Sequence, residues 1–229
     1  MTTRLPYCPI FLDLQDRDVL VVGGGVVSAR KIEMLLRYGA RVTVVSPAVS
    51  GEIELWEREH QVVLRRRRFE ESDLDEASLV IASTNDAEVN AHIAAGCSRR
   101  GIPVNVADAP ELGTFIVPAV IDHGSIQIAV STGGKSPALA RRLKEDLDRQ
   151  AGPEYAEIND LLGSLRDAAK KTLPADRDRK RFFDGILAAG VLERMREGRR
   201  SEAFELIAEA CRTSGIEPSE LLCSRLKPH

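Results

Sequence analysis

The spacing of apolar and polar positions changes repeatedly over the first 112 residues, and each change marks an element. Asp18-Val19-Leu20-Val21-Val22 is a β-branched run without polar alternation. Such a run reads as a strand buried on both faces, and here it ends in Gly23-Gly24-Gly25. From Val27 the period becomes helical: Val27, Ile32, Leu35 and Leu36 share one face while Arg30, Lys31, Glu33 and Arg37 point away. Gly39 predicts the stop of that helix, and Arg41-Val42-Thr43-Val44-Val45 predicts the second strand. Further strands are expected at Val62–Leu64, Leu79–Ala82 and Ile102–Val106, separated by helices near Glu52–Glu59 and Ala87–Arg100. This βαβα rhythm predicts an α/β fold, a parallel sheet with helices on both faces.

After Pro110 the rhythm breaks. Thr114–Val120 and Ser125–Val130 predict two strands joined by a turn at Asp122-His123-Gly124, an antiparallel hairpin. A Gly-Gly loop and a helix from Ser136 to about Arg149 follow, and from Ala151-Gly152-Pro153 onward the pattern is helical. Breaks are expected at Pro174, near Gly198 and at Gly215. Three parts result: a nucleotide-type α/β domain over 1–113, a short linking unit over 114–149 and a helical domain over 150–229. There is no internal repeat and no low-complexity tract.

Composition narrows the class. The chain has 229 residues, is 43% hydrophobic and carries a net charge of −3, which suits a globular protein with a real core. Collagen-like, disulfide-scaffold and wholly disordered readings are excluded. No stretch approaches the roughly 18 apolar residues of a membrane span. The start, Met1 to Pro6, leads to charged Asp13 and Asp16 too soon for a signal peptide, so a soluble, cytoplasmic protein is expected. Cys8, Cys97, Cys211 and Cys223 form no CxxC pair, and His60, His92, His123 and His229 are equally scattered. No zinc-ligand spacing exists, no metal site is expected, and the cysteines read as reduced thiols.

The strongest chemical signal is Val21-Val22-Gly23-Gly24-Gly25-Val26-Val27-Ser28, placed between a strand and a helix as a dinucleotide fingerprint should be. Gly23 permits the tight turn, and Gly25 lets the backbone approach a pyrophosphate. The helix start then offers free N–H groups and a positive dipole end. Ser28 replaces the third glycine of G-x-G-x-x-G. At the end of the second strand, Ser46-Pro47-Ala48 stands where a carboxylate would hold the ribose 2′-hydroxyl, so that rule does not choose between NAD and NADP. The run Arg65-Arg66-Arg67-Arg68 reads either as a 2′-phosphate contact or as a solvated strand end beside Glu70 and Glu71. Ala129 to Ser136 mimics a phosphate-binding P-loop. Its first glycine is Ala129, and Pro137 removes a backbone donor, which argues against an NTPase. Asp108 follows the fifth strand, where open parallel sheets place their ligands, and reads either as an acid/base group or as a turn cap before Pro110. Between Arg166 and Arg200 there are eleven basic and six acidic residues, a face suited to a polyanion. With no aromatic interleaving and no basic overall balance, nucleic acid is not the expected partner.

Taken in order, these segments resemble the precorrin-2 dehydrogenase/sirohydrochlorin ferrochelatase family of sirohaem biosynthesis, including the N-terminal part of sirohaem synthases. The resemblance spans nearly the whole chain. It covers Pro9-Ile10-Phe11-Leu12, the glycine turn with Arg30-Lys31, Ala82-Ser83-Thr84-Asn85-Asp86 and Asn105 to Pro110. It continues through Phe115 to Ala119, Ser131 to Arg141, and Arg179 to Phe183. It implies a Rossmann domain, a small dimerisation unit and a helical domain, assembled as a homodimer.

The implied reaction moves a hydride from precorrin-2 to NAD⁺, giving sirohydrochlorin, and many members also insert Fe²⁺ to make sirohaem. Asp108 is the implied acid/base residue for both. The implied NAD contacts are Gly23, Gly24, Gly25, Val26, Val27, Pro47, Ala48, Ser83 and Thr84. The implied substrate contacts are Ser131, Thr132 and Ser136. A non-catalytic NAD-sensing module is the rival reading, and the carboxylate of Asp108 together with the Thr132–Ser136 loop distinguishes the two.

Overall fold

The computed structural model describes residues 7–226; Met1 to Pro6 and His229, used in the sequence reading, lie outside the described residues. By internal contacts the chain divides into two compact units, one running through Val117 together with Gly133–Lys135, the other Pro118–Thr132 with the chain from Ser136 onward.

The first unit is built on five strands: β1 Asp18–Val22, β2 Arg41–Val45, β3 Val62–Arg65, β4 Leu79–Ala82 and β5 Val104–Val106. They form a parallel sheet in the order β3-β2-β1-β4-β5, with Asp18 opposite Arg41, Val19 opposite Leu79 and Val80 opposite Val104. The crossovers reverse direction between β1 and β4, so the sheet is doubly wound with its switch point there. Alternate residues feed two cores. Val19, Val21, Val42 and Val44 pack with Ile32 and Leu35 of α1 (Val26–Arg37) and Ile53 of α2 (Gly51–Arg58). Leu20, Val22, Val80 and Ala82 pack with Ile93 and Cys97 of α3 (Ala87–Arg100) and Leu74. This two-sided burial is why β1 and β4 carry no polar alternation.

Several boundaries differ from the sequence expectation. The buried face of α1 is Ser28, Ala29, Ile32 and Leu35, while Val27 is 45% exposed. Ser28 and Ala29 of the same turn are buried, so Val27 is exposed because the helix phase turns it away from that face. Tyr38 caps α1 and Gly39 follows it at φ +71°, the left-handed position glycine favours after a helix. Residues 102 and 103 do not join β5, and the strand expected from Thr114 begins only at Ala119. The physical reason is that Thr114 is tied back to β5: its amide donates to the Val104 carbonyl at 2.8 Å, and its hydroxyl accepts from the Val104 amide at 2.8 Å.

In the second unit, β6 (Ala119–Asp122) and β7 (Gln127–Val130) form the expected antiparallel hairpin, with Ala119 opposite Val130. Helix α4 (Pro137–Gln150) follows, then α5 Pro153–Ser164, α6 Arg166–Thr172, α7 Asp176–Ala188, α8 Val191–Arg196, α9 Arg200–Ser214 and α10 Glu220–Leu226. Two breaks were not expected, at Leu165 and at Ala189-Gly190, where Gly190 takes φ +80°. Leu161, Leu165, Ile186, Ile207, Cys211 and Leu222 form the helical core. No helix among the described residues is long and apolar enough to cross a membrane.

Candidate active site at the carboxyl edge of the sheet

β1 delivers the glycine turn to the carboxyl edge of the sheet at the switch point, where doubly wound folds bind ligands. Each glycine is required for a different reason. Gly23 donates its amide to the Val45 carbonyl at 3.0 Å and sits at φ +129°. A Cβ there would lie 2.5 Å from the Ser83 carbonyl oxygen and 2.8 Å from the Ser28 hydroxyl. At Gly24 a Cβ would come within 2.0 Å of the Ala48 carbonyl oxygen, and the Gly24 carbonyl accepts the Ser50 amide at 2.8 Å. Around Gly25 the same construction meets nothing within 4 Å. Gly25 is the N-cap of α1 and has no side chain, and the first turn contains no acidic residue. The result is an open cradle before an uncapped helix start whose free N–H groups and dipole favour an anion. A dinucleotide pyrophosphate fits that cradle. Val26 and Val27, 59% and 45% exposed, flank it with apolar surface.

Behind the turn lies a feature that the sequence reading missed. The buried hydroxyls of Ser28 and Ser83 are hydrogen-bonded at 2.8 Å, and Ser83 also donates to the Val22 carbonyl at 3.4 Å. Ser28 is therefore more than a small stand-in for glycine: it ties the first turn of α1 to the end of β4. The Ser83 side chain points into this bridge, and its amide donates to the Val22 carbonyl at 2.8 Å. Thr84 is held by Asn90, which accepts from the Thr84 amide at 3.2 Å and donates to the Thr84 carbonyl at 3.0 Å. Asp86 caps α3 by accepting from the Glu88 and Val89 amides. The Ser28–Ser83 and Thr84–Asn90 pairs join residues 55 and 6 positions apart, and periodicity carries no trace of them.

Past β2, the Ser46 hydroxyl donates to the Ala48 carbonyl at 2.6 Å, closing a turn that exposes Pro47 and Ala48 beside the glycines. The arginine run is matched by carboxylates: Arg65 and Arg67 by Asp73, Arg66 by Glu57 and Glu54, with Glu70 3.8 Å from Arg67. Glu71, expected beside this run, instead receives Arg100 and Arg99, which hold its carboxyl down at about 2.

Asp108 stands at the same edge, two residues beyond β5. It is exposed and takes φ +63°, a left-handed conformation that aspartate tolerates better than most residues. The cap reading gains no bond: the short 3-10 turn Pro110–Leu112 is preceded by Ala109 and has no side-chain cap. No hydrogen bond or ion pair engages the Asp108 carboxylate among the described residues. The buried Asn105 side chain of β5 donates to the Phe115 carbonyl at 3.0 Å and ties the segment after the 3-10 turn to the strand. β4 separates β5 from β1, so two strand spacings, about 10 Å, lie between the strands that carry Asp108 and the glycine turn.

In the segment after β7, the Thr132 hydroxyl accepts the Ser136 amide at 3.2 Å and donates to the Ser136 carbonyl at 3.1 Å. The Ser136 hydroxyl caps α4 through the Leu139 amide. Both hydroxyls build the loop. Ser131 is exposed at the end of β7. Because β7 belongs to an antiparallel hairpin, the segment is no P-loop. Of the eleven basic residues expected to form a face, Arg177, Arg179, Arg194, Arg196, Arg199 and Arg200 are engaged by carboxylates. Arg166, Lys170, Lys171, Lys180 and Arg181 remain exposed.

Comparison with known proteins identifies the family. Three family models match in sequence order: putative NAD(P)-binding over residues 10–119, sirohaem biosynthesis protein central over 123–150, and sirohaem synthase dimerisation region over 154–210. The siroheme synthase of Thioalkalivibrio sulfidiphilus is 41% identical over 209 residues, covering 91% of this chain and 43% of that protein. The siroheme synthase of Methylococcus capsulatus is 40% identical over 207 residues, with 90% and 44% covered. The chain thus spans less than half the length of these relatives. Among solved structures, SirC, a precorrin-2 dehydrogenase, superposes with a TM-score of 0.70 at 30% identity, covering 89% of this chain and all of that one.

Proposed function

The chain belongs to the family of precorrin-2 dehydrogenases and N-terminal sirohaem synthase modules, and from that premise we propose that it oxidises precorrin-2 to sirohydrochlorin with NAD⁺. The observation that carries this reading is a partner-free carboxylate, Asp108, on the same sheet edge as the open cradle at Gly25. Gly23, Gly24 and Gly25 with Val26 and Val27 hold the pyrophosphate. Pro47 and Ala48 lie under the adenosine side, and the Ser83 and Thr84 backbone borders the nicotinamide side. Bound NAD⁺ supplies the hydride acceptor. Asp108 takes the proton that must leave when the tetrapyrrole gives up its hydride. Ser131, Thr132 and Ser136 are our candidates for substrate contact, the last two through the loop their hydroxyls shape. The exposed cations Arg166, Lys170, Lys171, Lys180 and Arg181 attract a polycarboxylate.

The same carboxylate serves a second reaction in this proposal, insertion of Fe²⁺ as a substrate into sirohydrochlorin, by accepting pyrrole N–H protons. We assign the chain three working parts, 1–113 for the cofactor, 114–149 for dimerisation, and a helical part over 150–229 that shares in dimerisation, since the dimerisation-region model matches 154–210. A homodimer is supported by α4, which buries no residue in the single chain and exposes Leu139 and Leu143 at 51% and 40%. We place the reaction in the cytoplasm, where the free thiols Cys8, Cys97, Cys211 and Cys223 stay reduced.

The test mixes the chain with NAD⁺ and precorrin-2 and follows NADH and sirohydrochlorin by absorbance. Stoichiometric appearance of both is expected. NAD⁺ binding without NADH formation would make the protein a non-catalytic NAD sensor. Fe²⁺ with sirohydrochlorin, without NAD⁺, tests the second reaction separately.

A further inference from the structure

In dinucleotide-binding folds, coenzyme choice is made at the carboxyl end of the second strand, where a carboxylate takes the ribose 2′-hydroxyl or an arginine takes a 2′-phosphate. Here that end is Ser46-Pro47-Ala48 and offers neither. On the adjacent strand, β3, Arg65 is the last residue, and Arg67 follows just beyond it. The Ser46 amide donates to the Arg65 carbonyl at 3.2 Å, so the arginine run begins directly beside the end of β2. Free guanidinium groups beside that end are the kind of group that takes a 2′-phosphate.

Those of Arg65 and Arg67 are engaged by one buried carboxylate. Arg65 Nη1 donates to Asp73 Oδ1 at 2.7 Å, and Arg67 grips both oxygens, at 2.6 and 2.8 Å. The Glu70 amide donates to Oδ2 at 3.0 Å. Burial raises the Asp73 carboxyl, but the bonds from Arg67, the Glu70 amide and Arg65 outweigh it and leave the group below its ordinary value, hence ionised. The Asp73 side chain is 0% exposed, whereas those of Arg65 and Arg67 are 43% and 35% exposed. The anchor is fixed and its two cations sit at the surface. Arg66 is turned the other way, onto Glu57 at 2.9 Å.

We propose that Asp73 is the coenzyme-selecting residue: by holding Arg65 and Arg67 on its carboxylate, it withholds them from a 2′-phosphate and makes the chain prefer NAD⁺ over NADP⁺. This rests on NAD⁺ binding at the glycine turn. Asp73 touches no coenzyme in this account and acts through the arginines it positions. A purely structural ion pair would affect both coenzymes alike, whereas withheld cations affect NADP⁺ alone.

The test is titration calorimetry of the full chain with NAD⁺ and NADP⁺. Wild type should bind NAD⁺ at least about tenfold more tightly, the gap expected when one charge-assisted phosphate contact is missing. Asp73→Asn should tighten NADP⁺ about five- to tenfold and leave NAD⁺ within about twofold. Adding Arg65→Gln to that variant should reduce the gain. If Asp73→Asn fails to fold, the double variant Asp73→Asn/Arg67→Met removes one anion and one cation together, and NADP⁺ should still tighten through Arg65. An unchanged NADP⁺ affinity in folded variants, or equal shifts for both coenzymes, would overturn the proposal. A wild type that binds no NAD⁺ would overturn the cofactor reading instead.

Discussion

Two strand–glycine–helix segments in this chain look alike in sequence and behave differently in structure. Gly23-Gly24-Gly25 follows a central strand of a parallel sheet, and Gly133-Gly134 follows a strand of a two-stranded hairpin. In the first, Gly23 and Gly24 are demanded by packing, since a Cβ would strike backbone at 2.5 and 2.0 Å, and the next residue opens onto an uncapped helix. In the second, the demand is conformational: Gly133 and Gly134 take φ +62° and +80° with open space around each. The helix beyond begins with Pro137 and is capped by Ser136. An anion finds free donors at the first helix start. At the second, the loop's own hydroxyls have already taken the polar positions. Glycine spacing alone does not separate a cofactor turn from a shaped loop; what the missing Cβ would touch does.

The largest effect should come from Gly24→Ala. Its methyl would meet the Ala48 carbonyl, which the Ser46 hydroxyl holds in place, so the Ser46–Ser50 connection must shift. We expect about 3 kcal/mol lost in denaturant unfolding, the upper end for overpacking, together with loss of NAD⁺ binding. Stability near wild type would mean that this connection yields freely. Next is Gly25→Val, where the side chain has room and the backbone, at φ −84° and ψ −174°, is ordinary extended geometry. Melting should be unchanged while NAD⁺ affinity falls about 100-fold or more, as expected when two charge-assisted phosphate bonds are blocked. Retained NAD⁺ affinity in that variant would place the cofactor elsewhere. The smallest effect belongs to Gly134→Ala. It should cost only about 1 kcal/mol, the strain of a left-handed alanine, with NAD⁺ affinity intact. A loss of NAD⁺ affinity there would erase the contrast between the two loops.

The same contrast explains what was legible beforehand. Local signals sufficed for β1, β2 and β4, for α3 from Ala87 to Arg100, and for the glycine turn, because both-face burial and helix period are written within a few residues. The Ser28–Ser83 bridge, the Asn90 clamp on Thr84 and the Asp73 anchor were invisible. Each depends on which strands become neighbours, which is settled only by assembly of the sheet. The misassigned strand at Thr114 has the same origin, since Thr114 and Val104 pair across ten residues and pull the segment off the hairpin. Asp108 was legible as a residue at a strand's carboxyl end. Its left-handed backbone and partner-free carboxylate were not.

The central claim is that Asp108 is the base at this edge, and its most direct test is the turnover of Asp108→Asn with NAD⁺ and precorrin-2. Asparagine tolerates the left-handed backbone as aspartate does, so the variant should fold and bind NAD⁺ within about twofold of wild type. It keeps the shape and removes the proton acceptor, so kcat should fall by about 10²- to 10⁴-fold, the range for a lost positioned acid/base. A folded, NAD⁺-binding Asp108→Asn protein that oxidises precorrin-2 at the wild-type rate would contradict the account.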